Sequence, residues 1–535
     1  MIRQSPLKLT FIFVLSLVLL QCAGDKKDRP KNVILITLDT HRADYVSAYN
    51  PEKSKTPNID FFAKQGVLIE NCYSLIPITA PAHAILFYSQ PPHVLYFYNN
   101  GQIFHPPQKQ ASLAELFRKK DFRTAAFVSL GVLQSHFQLH RGFDVYEDVM
   151  PSHRWYLNAH EINQRVLPWI EKNKDDDFFA WIHYSDPHDP YAPPNLPPDF
   201  QIELNGRLFK QVCLQKYEQL TLKFKLRLGA NKIIFTVLNP YPGSEDQFRA
   251  ALNEIEFIQH PESIKLSFTD IQFVHKEEKR SALIKKRGSI LIDCPEQEAE
   301  LIIKARGNLN LHPSEKMRSY RKEVEYLDLQ IGTLTKKLQE WDLLDKCLIV
   351  LVGDHGEGLG KEKTKFGDRY FGHIHYLYRA YMKVPLIIFD PTMQKNIQKI
   401  SGLSTILDVA PTILGRMGWK NKPYHRGKDL FKTKKALKSI LEETYAPEAI
   451  HDRFGMLQYP WHMIYTPETQ KVELYNLISD PDEKNDVFDT HKNSEDLKKL
   501  QEKLRQNAAD ILVSKQEVKI DKESLEMLKS LGYIK

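Results

Sequence analysis

The chain of 535 residues carries 74 Lys and Arg against 67 Asp and Glu, a formal charge of +7, and 42% of its residues are hydrophobic. This balance excludes a disordered, collagen-like or coiled-coil chain. The positive charges are spread along the sequence without the long Lys/Arg block that marks a nucleic-acid surface, so we expect no nucleic-acid partner.

The first 22 residues have the pattern of a bacterial export signal. Two basic residues precede an apolar run over residues 9–20, which is shorter than the roughly 20 residues of a membrane-spanning helix. The sequence LLQCAG around Cys22 resembles a lipobox, whose cysteine becomes the lipidated first residue of the mature protein. We therefore expect an exported cell-envelope lipoprotein, on the periplasmic face or the outer surface, anchored to a membrane by lipid on Cys22. Residues 23–31 would form a charged linker, and ordinary signal cleavage is the alternative to lipidation.

Four cysteines follow Cys22, and none forms a C-x-x-C pair, which argues against a thiolate zinc site. Cys213 and Cys294 lie in one candidate module and are the pair to test for a disulfide, since export permits one. For Cys72 and Cys347, which sit among apolar residues, a buried thiol is the alternative.

Two continuous apolar runs predict strands buried on both faces of a parallel sheet, over Asn32–Leu38 and Cys347–Gly353. Further short strands are predicted over residues 124–129, 178–183 and 384–389, with helical patterns between them. The alternation of strands and helices predicts an α/β fold.

Each of the two long runs ends at a carboxylate, the first at Asp39 and the second at Asp354. Ligands bind at the carboxyl ends of strands in open parallel sheets, so we expect Asp39, His183 and Asp354 to converge on one rim. The alternative for an aspartate in this position is a helix cap.

The α/β pattern is interrupted once. Period-two alternation with turn signals predicts an inserted antiparallel β-module, sandwich-like, over residues 197–312. The α/β domain would then comprise residues 32–196 and 313–436, followed by a smaller α+β subdomain over residues 437–535 that ends in charged helices over residues 493–505 and 522–531. Glycan binding and a plain packing role are both open for the module.

Four short patches, with a fifth close behind, hold nearly all the acidic, histidine and hydroxyl side chains that could carry chemistry. They are residues 38–44 (LDTHRAD), 78–84 (ITAPAHA), 181–191 (WIHYSDPHDPY), 353–357 (GDHGE) and 371–375 (FGHIH). Their order and spacing resemble the sulfatase family of the alkaline-phosphatase superfamily, over almost the whole chain apart from the module. The resemblance implies an alkaline-phosphatase-like core, with a mostly parallel sheet flanked by helices.

The resemblance also implies a metal-dependent ester hydrolase. A divalent cation neutralises ester oxygens and lowers the pKa of a bound hydroxyl, and carboxylates with imidazole suit Ca²⁺, Mg²⁺, Mn²⁺ or Zn²⁺. The implied set is Asp39, Asp354 and His355 as metal ligands, Thr79 as nucleophile, His183, His188 and His373 as catalytic histidines, and Arg42, His83, Asp186 and His375 as candidate substrate contacts.

Thr79 departs from the family pattern. A typical sulfatase has Cys or Ser there, within C/S-x-P-S-R, and converts it to formylglycine. The patch here reads TAPAH, so His83 replaces the arginine, and oxidation of a threonine would give a ketone. We therefore expect no formylglycine, and direct attack by the Thr79 hydroxyl, as in related phosphodiesterases and phosphotransferases.

Two further positions differ from many relatives. Thr40 stands where they have a second metal-binding aspartate, so one carboxylate ligand is expected to be missing. His355 stands where many sulfatases have asparagine, which adds an imidazole and moves the ligand set towards the transition-metal phosphodiesterases.

The resulting hypothesis is an exported hydrolase of small-molecule, glycan or lipid esters of sulfate or phosphate. Thr79 would attack the sulfur or phosphorus, His188 or His183 would protonate the leaving group, and water would release the esterified threonine. Two alternatives stay open, a phosphodiesterase or phospho-headgroup transferase and a catalytically inactive surface-binding lipoprotein. The sequence predicts no oligomeric state.

Overall fold

The computed structural model shows an α/β protein with a large central sheet. The described residues do not include the export signal, Cys22 or Cys213. The predicted export, lipidation and disulfide therefore stay predictions. No helix in the described part of the chain combines the length and the apolar character needed to cross a membrane. The described residues are 29–151, 154–189, 191, 200–212, 220–237, 250–257, 265–270, 272–276, 279–284, 287–294, 299–307, 313–360, 371–393, 398–433, 437–445 and 451–515.

The described strands and helices are given in chain order. The strands are β1 (Asn32–Leu38), β2 (Val67–Ile69), β3 (Cys72–Tyr73), β4 (Arg123–Phe127), β5 (Val145–Glu147), β6 (Phe178–Tyr184), β7 (Phe200–Leu204), β8 (Arg207–Val212), β9 (Leu220–Leu226), β10 (Gly229–Val237), β11 (Ala250–Phe257), β12 (Lys265–Thr269), β13 (Gln272–Lys276), β14 (Lys279–Ile284), β15 (Arg287–Cys294), β16 (Ala299–Gly307), β17 (Cys347–Gly353), β18 (Gly358–Leu359), β19 (Phe371–Gly372), β20 (Lys383–Val384), β21 (Leu386–Phe389), β22 (Lys399–Ile400), β23 (Ser404–Thr405), β24 (Ile440–Thr444), β25 (Arg453–Gln458), β26 (Trp461–Thr466) and β27 (Lys471–Asn476). The helices are α1 (Pro57–Gln65), α2 (Thr79–Tyr88), α3 (Pro92–Leu95), α4 (Leu113–Arg118), α5 (Ala159–Lys172), α6 (Pro313–Glu340), α7 (Arg379–Met382), α8 (Val409–Arg416), α9 (Phe488–His491) and α10 (Glu495–Ser514).

The central sheet has eight strands in the order β22-β2-β21-β17-β1-β6-β4-β5. Its middle strand β1 pairs in parallel with β17 on one side and β6 on the other. Strand β21 runs antiparallel to both β17 and β2, so the sheet is mostly parallel. The predicted α/β class is therefore confirmed.

Both faces of this sheet are covered, as the continuous apolar runs predict. In β1, Val33 and Leu35 pack into one core cluster together with α2. Ile34 and Ile36 point to the opposite face, where they pack with α5 and α6. Alternate residues of one strand thus belong to two separate cores, because side chains of a strand point to opposite sides of the sheet.

One predicted strand is divided in two. Residues 384–389 do not form a single strand, because Pro385 has no N–H group to continue the hydrogen-bond ladder. Strand β20 before it pairs with β3, whereas β21 after it pairs with β17. Pro385 still serves the central sheet through its carbonyl oxygen, which accepts a hydrogen bond from the N–H of Gly353 at 2.9 Å.

The predicted β-module contains two five-stranded antiparallel sheets, β12-β15-β10-β7-β8 and β13-β14-β11-β16-β9. Phe224 and Leu301 of the second sheet share an apolar cluster with Ile233 and Ile290 of the first. Two sheets that share one core form a sandwich. Cys294 lies in this core as a buried thiol, and its predicted pairing with Cys213 stays a prediction, whereas Cys72 and Cys347 are buried free thiols among the described residues.

The C-terminal part consists of a four-stranded antiparallel sheet, β24-β25-β26-β27, covered by α10. Leu497, Leu500, Leu504, Ala508 and Ile511 of α10 are buried, at the spacing of one helix face. The predicted charged helix over residues 493–505 is therefore one amphipathic helix that continues to Ser514. A second predicted helix, over residues 522–531, lies outside the described residues.

His462 of β26 is buried between two carboxylates. Its Nε2 lies 2.9 Å from Oε2 of Glu442, and its Nδ1 contacts Oε1 of Glu483. Burial alone would lower the pKa of His462, but the two carboxylates outweigh it and raise this pKa to about 10. The protonated histidine thus joins β24 and β26 to the loop that contains Glu483.

This triad predicts a pH dependence of stability. The folded-state pKa of about 10 exceeds the usual histidine pKa of 6.5. The contribution of His462 should be complete below the lower value and lost as the pH rises through the upper one, in total on the order of a few kcal/mol. In urea titrations between pH 6 and 10, His462→Gln should remove this fall in the free energy of unfolding. His105→Gln, at an exposed histidine, is the control, and an unchanged slope in His462→Gln would contradict the assignment.

Candidate active site

The candidate site lies at the carboxyl ends of β1, β6 and β17. The register places Leu38 beside Gly353 of β17 and Tyr184 of β6, so the residue after each strand emerges at the same rim. Asp39 and Asp354 therefore lie side by side, and both are fully buried. His183 of β6 is beside them, with its Nε2 3.3 Å from Oδ2 of Asp39. The expected convergence of these three side chains is what the structure shows.

Asp39, Asp354 and His355 form a group that could hold a metal ion. One ligand atom from each of them lies within 4.8 Å of the others. Oδ1 of Asp354 accepts hydrogen bonds from the N–H groups of Thr40, at 3.2 Å, and His355, at 2.7 Å. Within the described residues, both oxygens of Asp39 and Oδ2 of Asp354 have no hydrogen-bond partner.

Buried carboxylate oxygens without donors are costly unless a cation compensates them. Burial raises the pKa of Asp39, and it raises the pKa of Asp354 well above its usual value, with Asp39 as the second cause. Two carboxylates and one imidazole are a suitable donor set for a divalent cation. The residues present therefore fit the metal that the family resemblance implies.

Thr79 is the first residue of α2, and its hydroxyl lies against this group. Its Oγ1 is 3.2 Å from Nε2 of His355. The Nδ1 of His355 faces the carbonyl oxygen of Gly356 at 3.0 Å, and a carbonyl only accepts, so Nδ1 carries the proton and Nε2 a lone pair. The Thr79 hydroxyl thus donates to Nε2, and burial lowers the pKa of His355 well below its usual value.

His83 follows Thr79 by one turn of α2 and is fully buried. Its Nδ1 donates to the carbonyl oxygen of Thr79 at 2.8 Å, and its Nε2 accepts from the hydroxyl of Thr37 at 3.1 Å. The Thr37 oxygen in turn accepts from Nε1 of Trp181 at 2.9 Å. Burial is the main cause that lowers the pKa of His83 well below its usual value, and the nearby His183 is the second cause. His83 is therefore a neutral residue that holds Thr79 through its backbone carbonyl, and its role as a substrate contact stays a prediction.

This network predicts a large effect for a nearly isosteric change at Thr37. Thr37→Val should lower the free energy of unfolding by about 3 kcal/mol, because it leaves the indole N–H of Trp181 and Nε2 of His83 buried without partners. Valine alone would suit a buried strand better than threonine. Chemical denaturation measures the change. Thr37→Ser, which keeps the hydroxyl, is the matched control, and equal stability of Thr37→Val and wild type would contradict the network.

The other candidate histidines also belong to this cluster. Nδ1 of His183 lies 2.7 Å from the hydroxyl of Ser129, and burial lowers the pKa of His183 to about 3. The ring of His373 lies 4.6 Å from that of His355 and 5.1 Å from that of His188, between centroids. Burial lowers the pKa of His373 to about 4. The structure thus brings Thr79 and the three predicted catalytic histidines together around the carboxylates.

Three predicted substrate contacts have other partners in the structure. The guanidinium of Arg42 forms a two-point ion pair with Asp44, at 2.9 and 3.0 Å. The carboxylate of Asp186 accepts from the N–H of Ala159, at the start of α5, so it stabilises the end of a helix. His375 is half-buried, and its carbonyl oxygen accepts from Arg453. Their assignment as substrate contacts therefore stays a prediction.

Glu357 is a site residue that the sequence reasoning missed as a candidate. It is fully buried, and its Oε2 lies 3.1 Å from Nδ1 of His373. Burial raises its pKa well above the usual value. Glu357 stands three residues after Asp354 in the patch GDHGE. Its place beside two candidate metal ligands was the sequence signal that could have identified it.

Thr40 has an unusual backbone conformation, and its hydroxyl is already bonded within the protein. Its φ is +51°, in the left-handed region, which is uncommon for a β-branched residue. Its hydroxyl is 2.8 Å from the carbonyl oxygens of both Asp39 and Pro187. This side chain joins two loops, and the expectation that one carboxylate ligand is missing at this position stays a prediction.

Comparisons with known proteins identify the family and the fold that this chain shares. The sulfatase family model matches residues 31–419, and a model described as the C-terminal part of N-sulphoglucosamine sulphohydrolase matches residues 367–510. An N-acetylglucosamine-6-O-sulfatase of Bacteroides thetaiotaomicron is 22% identical, over 88% of this chain and 86% of that protein. Human arylsulfatase K is 20% identical, over 88% of this chain and 82% of that protein.

Solved structures share the fold over nearly the full length. One, described in complex with its substrate D-glucosamine-2-N,6-O-disulfate, has a TM-score of 0.61 at 17% identity and covers 92% of this chain and 100% of that chain. A phosphonate monoester hydrolase of Agrobacterium radiobacter has a TM-score of 0.56 at 14% identity and covers 91% of this chain and 96% of that chain. The chain belongs to the sulfatase family, the sulfuric ester hydrolases of the alkaline-phosphatase superfamily.

Proposed function

We propose that this sulfatase-family protein is an exported, metal-dependent ester hydrolase that uses the hydroxyl of Thr79 as its nucleophile in place of formylglycine. The observation that carries the proposal is the position of that hydroxyl, 3.2 Å from Nε2 of His355 and beside two buried carboxylates. A reactive group at the first residue of a helix also benefits from the positive end of the helix dipole.

Asp39, Asp354 and His355 are the residues that would hold the metal. When bound, a divalent cation would neutralise the ester oxygens and favour the alkoxide form of a nearby hydroxyl. Because Nδ1 of His355 bonds to Gly356, Nε2 is the ring atom that remains for a ligand.

The side chains of Thr79 and His188 carry out attack on the ester and protonation of the leaving group. The hydroxyl of Thr79 gives up its proton to solvent, its oxygen forms a bond to the sulfur or phosphorus, and the bond to the leaving oxygen breaks. Among the two candidate acids, we favour His188, because His183 is fully buried and bonded to Ser129, whereas His188 keeps 7% of its surface exposed. The proton goes to the leaving oxygen. Water then cleaves the esterified threonine and restores the hydroxyl.

The substrate we favour is the sulfate ester of a glycan. One similar protein is named an N-acetylglucosamine-6-O-sulfatase, one solved structure is described in complex with its substrate D-glucosamine-2-N,6-O-disulfate, and family membership points the same way. A phosphate ester or diester is the second candidate. The specific observation in its favour is the neutral, internally bonded His83 at the position of the family arginine, together with a threonine nucleophile.

A substrate and metal panel tests the proposal. The protein is treated with a chelator and then assayed with aryl sulfate, aryl phosphate and bis-aryl phosphate after addition of Ca²⁺, Mg²⁺, Mn²⁺ or Zn²⁺. We expect metal-dependent turnover of one ester class, and the preferred class decides between sulfate and phosphate. A folded protein that binds a metal but hydrolyses none of the esters would contradict the proposed enzyme and favour the surface-binding alternative.

Export and lipid anchoring are part of the same proposal, on the strength of the signal and the lipobox-like sequence around Cys22. We expect the mature protein in membrane fractions, with a diacylated cysteine as its first residue in mass spectra. Cys22→Ala should move the protein to the soluble exported fraction. An unmodified mature N-terminus would contradict the lipid anchor without affecting the proposed chemistry.

A further inference from the structure

A cleft of about 400 Å³ lies outside the catalytic group. Its lining includes Arg42, Asp44, Lys53, Arg379, Lys383 and residues 481–484, and does not include Asp39, Thr79, Asp354 or His355. Pockets of about 300–1,000 Å³ are the usual size for small-molecule ligands. This cleft is therefore large enough for a monosaccharide and much larger than a bare oxyanion needs.

The lining of the cleft is predominantly cationic. It has five Lys or Arg side chains, among them Lys484, against three carboxylates. Arg42 and Lys53 both pair with Asp44, and Lys484 pairs with Asp482 at 2.8 Å. Each of these two acids thus already has a cationic partner in the wall.

The third carboxylate, Glu483, is turned into the protein. One oxygen contacts the protonated His462, and the other accepts from the backbone N–H of Arg379. The negative charge of Glu483 is therefore compensated by His462 inside the protein and does not neutralise the cationic side chains of the cleft. The same contacts fix the loop of residues 481–484 against α7, so the wall is held in place by a buried ion pair.

Arg379 and Lys383 supply charge without a directly paired carboxylate. Nη1 of Arg379 donates to the carbonyl oxygen of Pro481 at 3.1 Å, and Nζ of Lys383 donates to Oδ1 of Asn71 at 2.9 Å. In the part of the chain that the structure describes, neither side chain has a carboxylate oxygen within 4.0 Å. Both are only partly exposed, so solvent compensates them less than it would at an open surface.

We propose that this cleft binds a sulfated or phosphorylated sugar, with the anionic group held between Arg379 and Lys383. Tetrahedral oxyanions with several acceptor oxygens match an adjacent guanidinium and ammonium. The remaining lining includes the polar side chain of Asn50, which suits the sugar hydroxyls. The inference concerns a second site and does not depend on the chemistry of Thr79.

The cleft is also joined to the catalytic group through Arg42. While its other nitrogens bond to Asp44 in the cleft wall, its Nη1 donates to the carbonyl oxygen of Glu357 at 3.1 Å. The side chain of Glu357 bonds to His373. A ligand that contacts Arg42 would thus be linked to His373, a predicted catalytic histidine, through Arg42 and Glu357, which makes the cleft a site for an activating or inhibiting sugar anion.

Binding of glucosamine 6-sulfate and of inorganic sulfate, measured by calorimetry at constant ionic strength, tests the proposal. The measurement uses full-length Thr79→Ala protein, so that the probe is not turned over. We expect a binding event whose affinity falls at least about tenfold in Lys383→Met and in Arg379→Met, since each removes one charged hydrogen bond. Lys399→Met, at an exposed lysine paired with Glu70, is the control and should bind as its parent.

The two probes and a second measurement keep the outcomes distinct. Tighter binding of the sugar than of sulfate supports the proposed ligand class, whereas equal affinities reduce the site to a plain oxyanion site and overturn the sugar. Crystals soaked in selenate should show an anomalous peak within hydrogen-bond distance of Arg379 and Lys383. Unchanged affinity in Lys383→Met and Arg379→Met, with no selenate peak, would overturn the site, and neither result bears on whether Thr79 is the nucleophile.

Discussion

Thr79→Ala is expected to lower turnover by about 1,000-fold or more, because it removes the atom that bonds to sulfur or phosphorus. The fold should be unaffected, since alanine is a good first-turn residue and the hydrogen bond from His83 goes to the backbone carbonyl of residue 79. Thr79→Ser keeps a hydroxyl at the same atom and should retain measurable turnover. Steady-state kinetics on the preferred ester, with the free metal concentration fixed, measure the effect.

The control for this prediction is Thr333→Ala, at an exposed threonine of α6 whose hydroxyl bonds only to its own helix. It should leave kcat and KM unchanged. Mass spectrometry of a rapidly quenched reaction adds a direct readout, because a covalent Thr79 ester increases the mass of one peptide. Turnover of Thr79→Ala at the wild-type rate would exclude Thr79 as the nucleophile.

Asp39→Asn is expected to have opposite effects on stability and on activity. Without metal, the variant should be more stable than wild type by about 1–3 kcal/mol, because one of two adjacent buried carboxylates becomes neutral. Addition of metal stabilises only a state that binds it, so the metal-dependent rise in Tm that we expect for wild type should be lost in the variant. Turnover should fall to the background level. Thermal unfolding in chelator and at several metal concentrations checks both parts.

Asp175→Asn removes the charge of an exposed aspartate and is the matched control for this change. It should alter neither the stability in chelator nor the response to metal. If Asp39→Asn destabilised the metal-free protein, or still gained Tm on addition of metal, the carboxylate pair would not be the metal site.

The sheet and its rim could be predicted because the evidence for them is local. Asn32–Leu38 and Cys347–Gly353 are continuous apolar runs, and each forms a strand with the predicted bounds. The aspartate that follows each run marks the carboxyl end of a strand, so the meeting of Asp39 and Asp354 followed from sheet geometry alone. The roles of Thr79 and the histidines came instead from the family resemblance.

What could not be predicted is the direction in which a polar side chain points. Asp186 lies within a catalytic-looking patch, yet its carboxylate turns to the start of a helix that begins 27 residues earlier in the chain. Threonine is an ordinary residue in a strand. Only the positions of Trp181 and His83 show that the hydroxyl of Thr37 bonds to both of these side chains. Glu357 was overlooked for the same reason, since its partner His373 is 16 residues away.

The pairing of β1 with β17 has a consequence for the order of folding. Thr40 and Asp354, which meet at the rim, are 314 positions apart, and the whole sandwich lies between them in the chain. Contacts over such separations form late, after the entropy of closing the intervening loop has been overcome. A nascent chain in which Cys347–Gly353 has not yet been synthesised would have half of its carboxylate pair, and the middle strand β1 would have β6 as a neighbour on one side only. Truncated or stalled products should therefore lack any metal affinity and be vulnerable to proteolysis, even where their isolated β-module is already native.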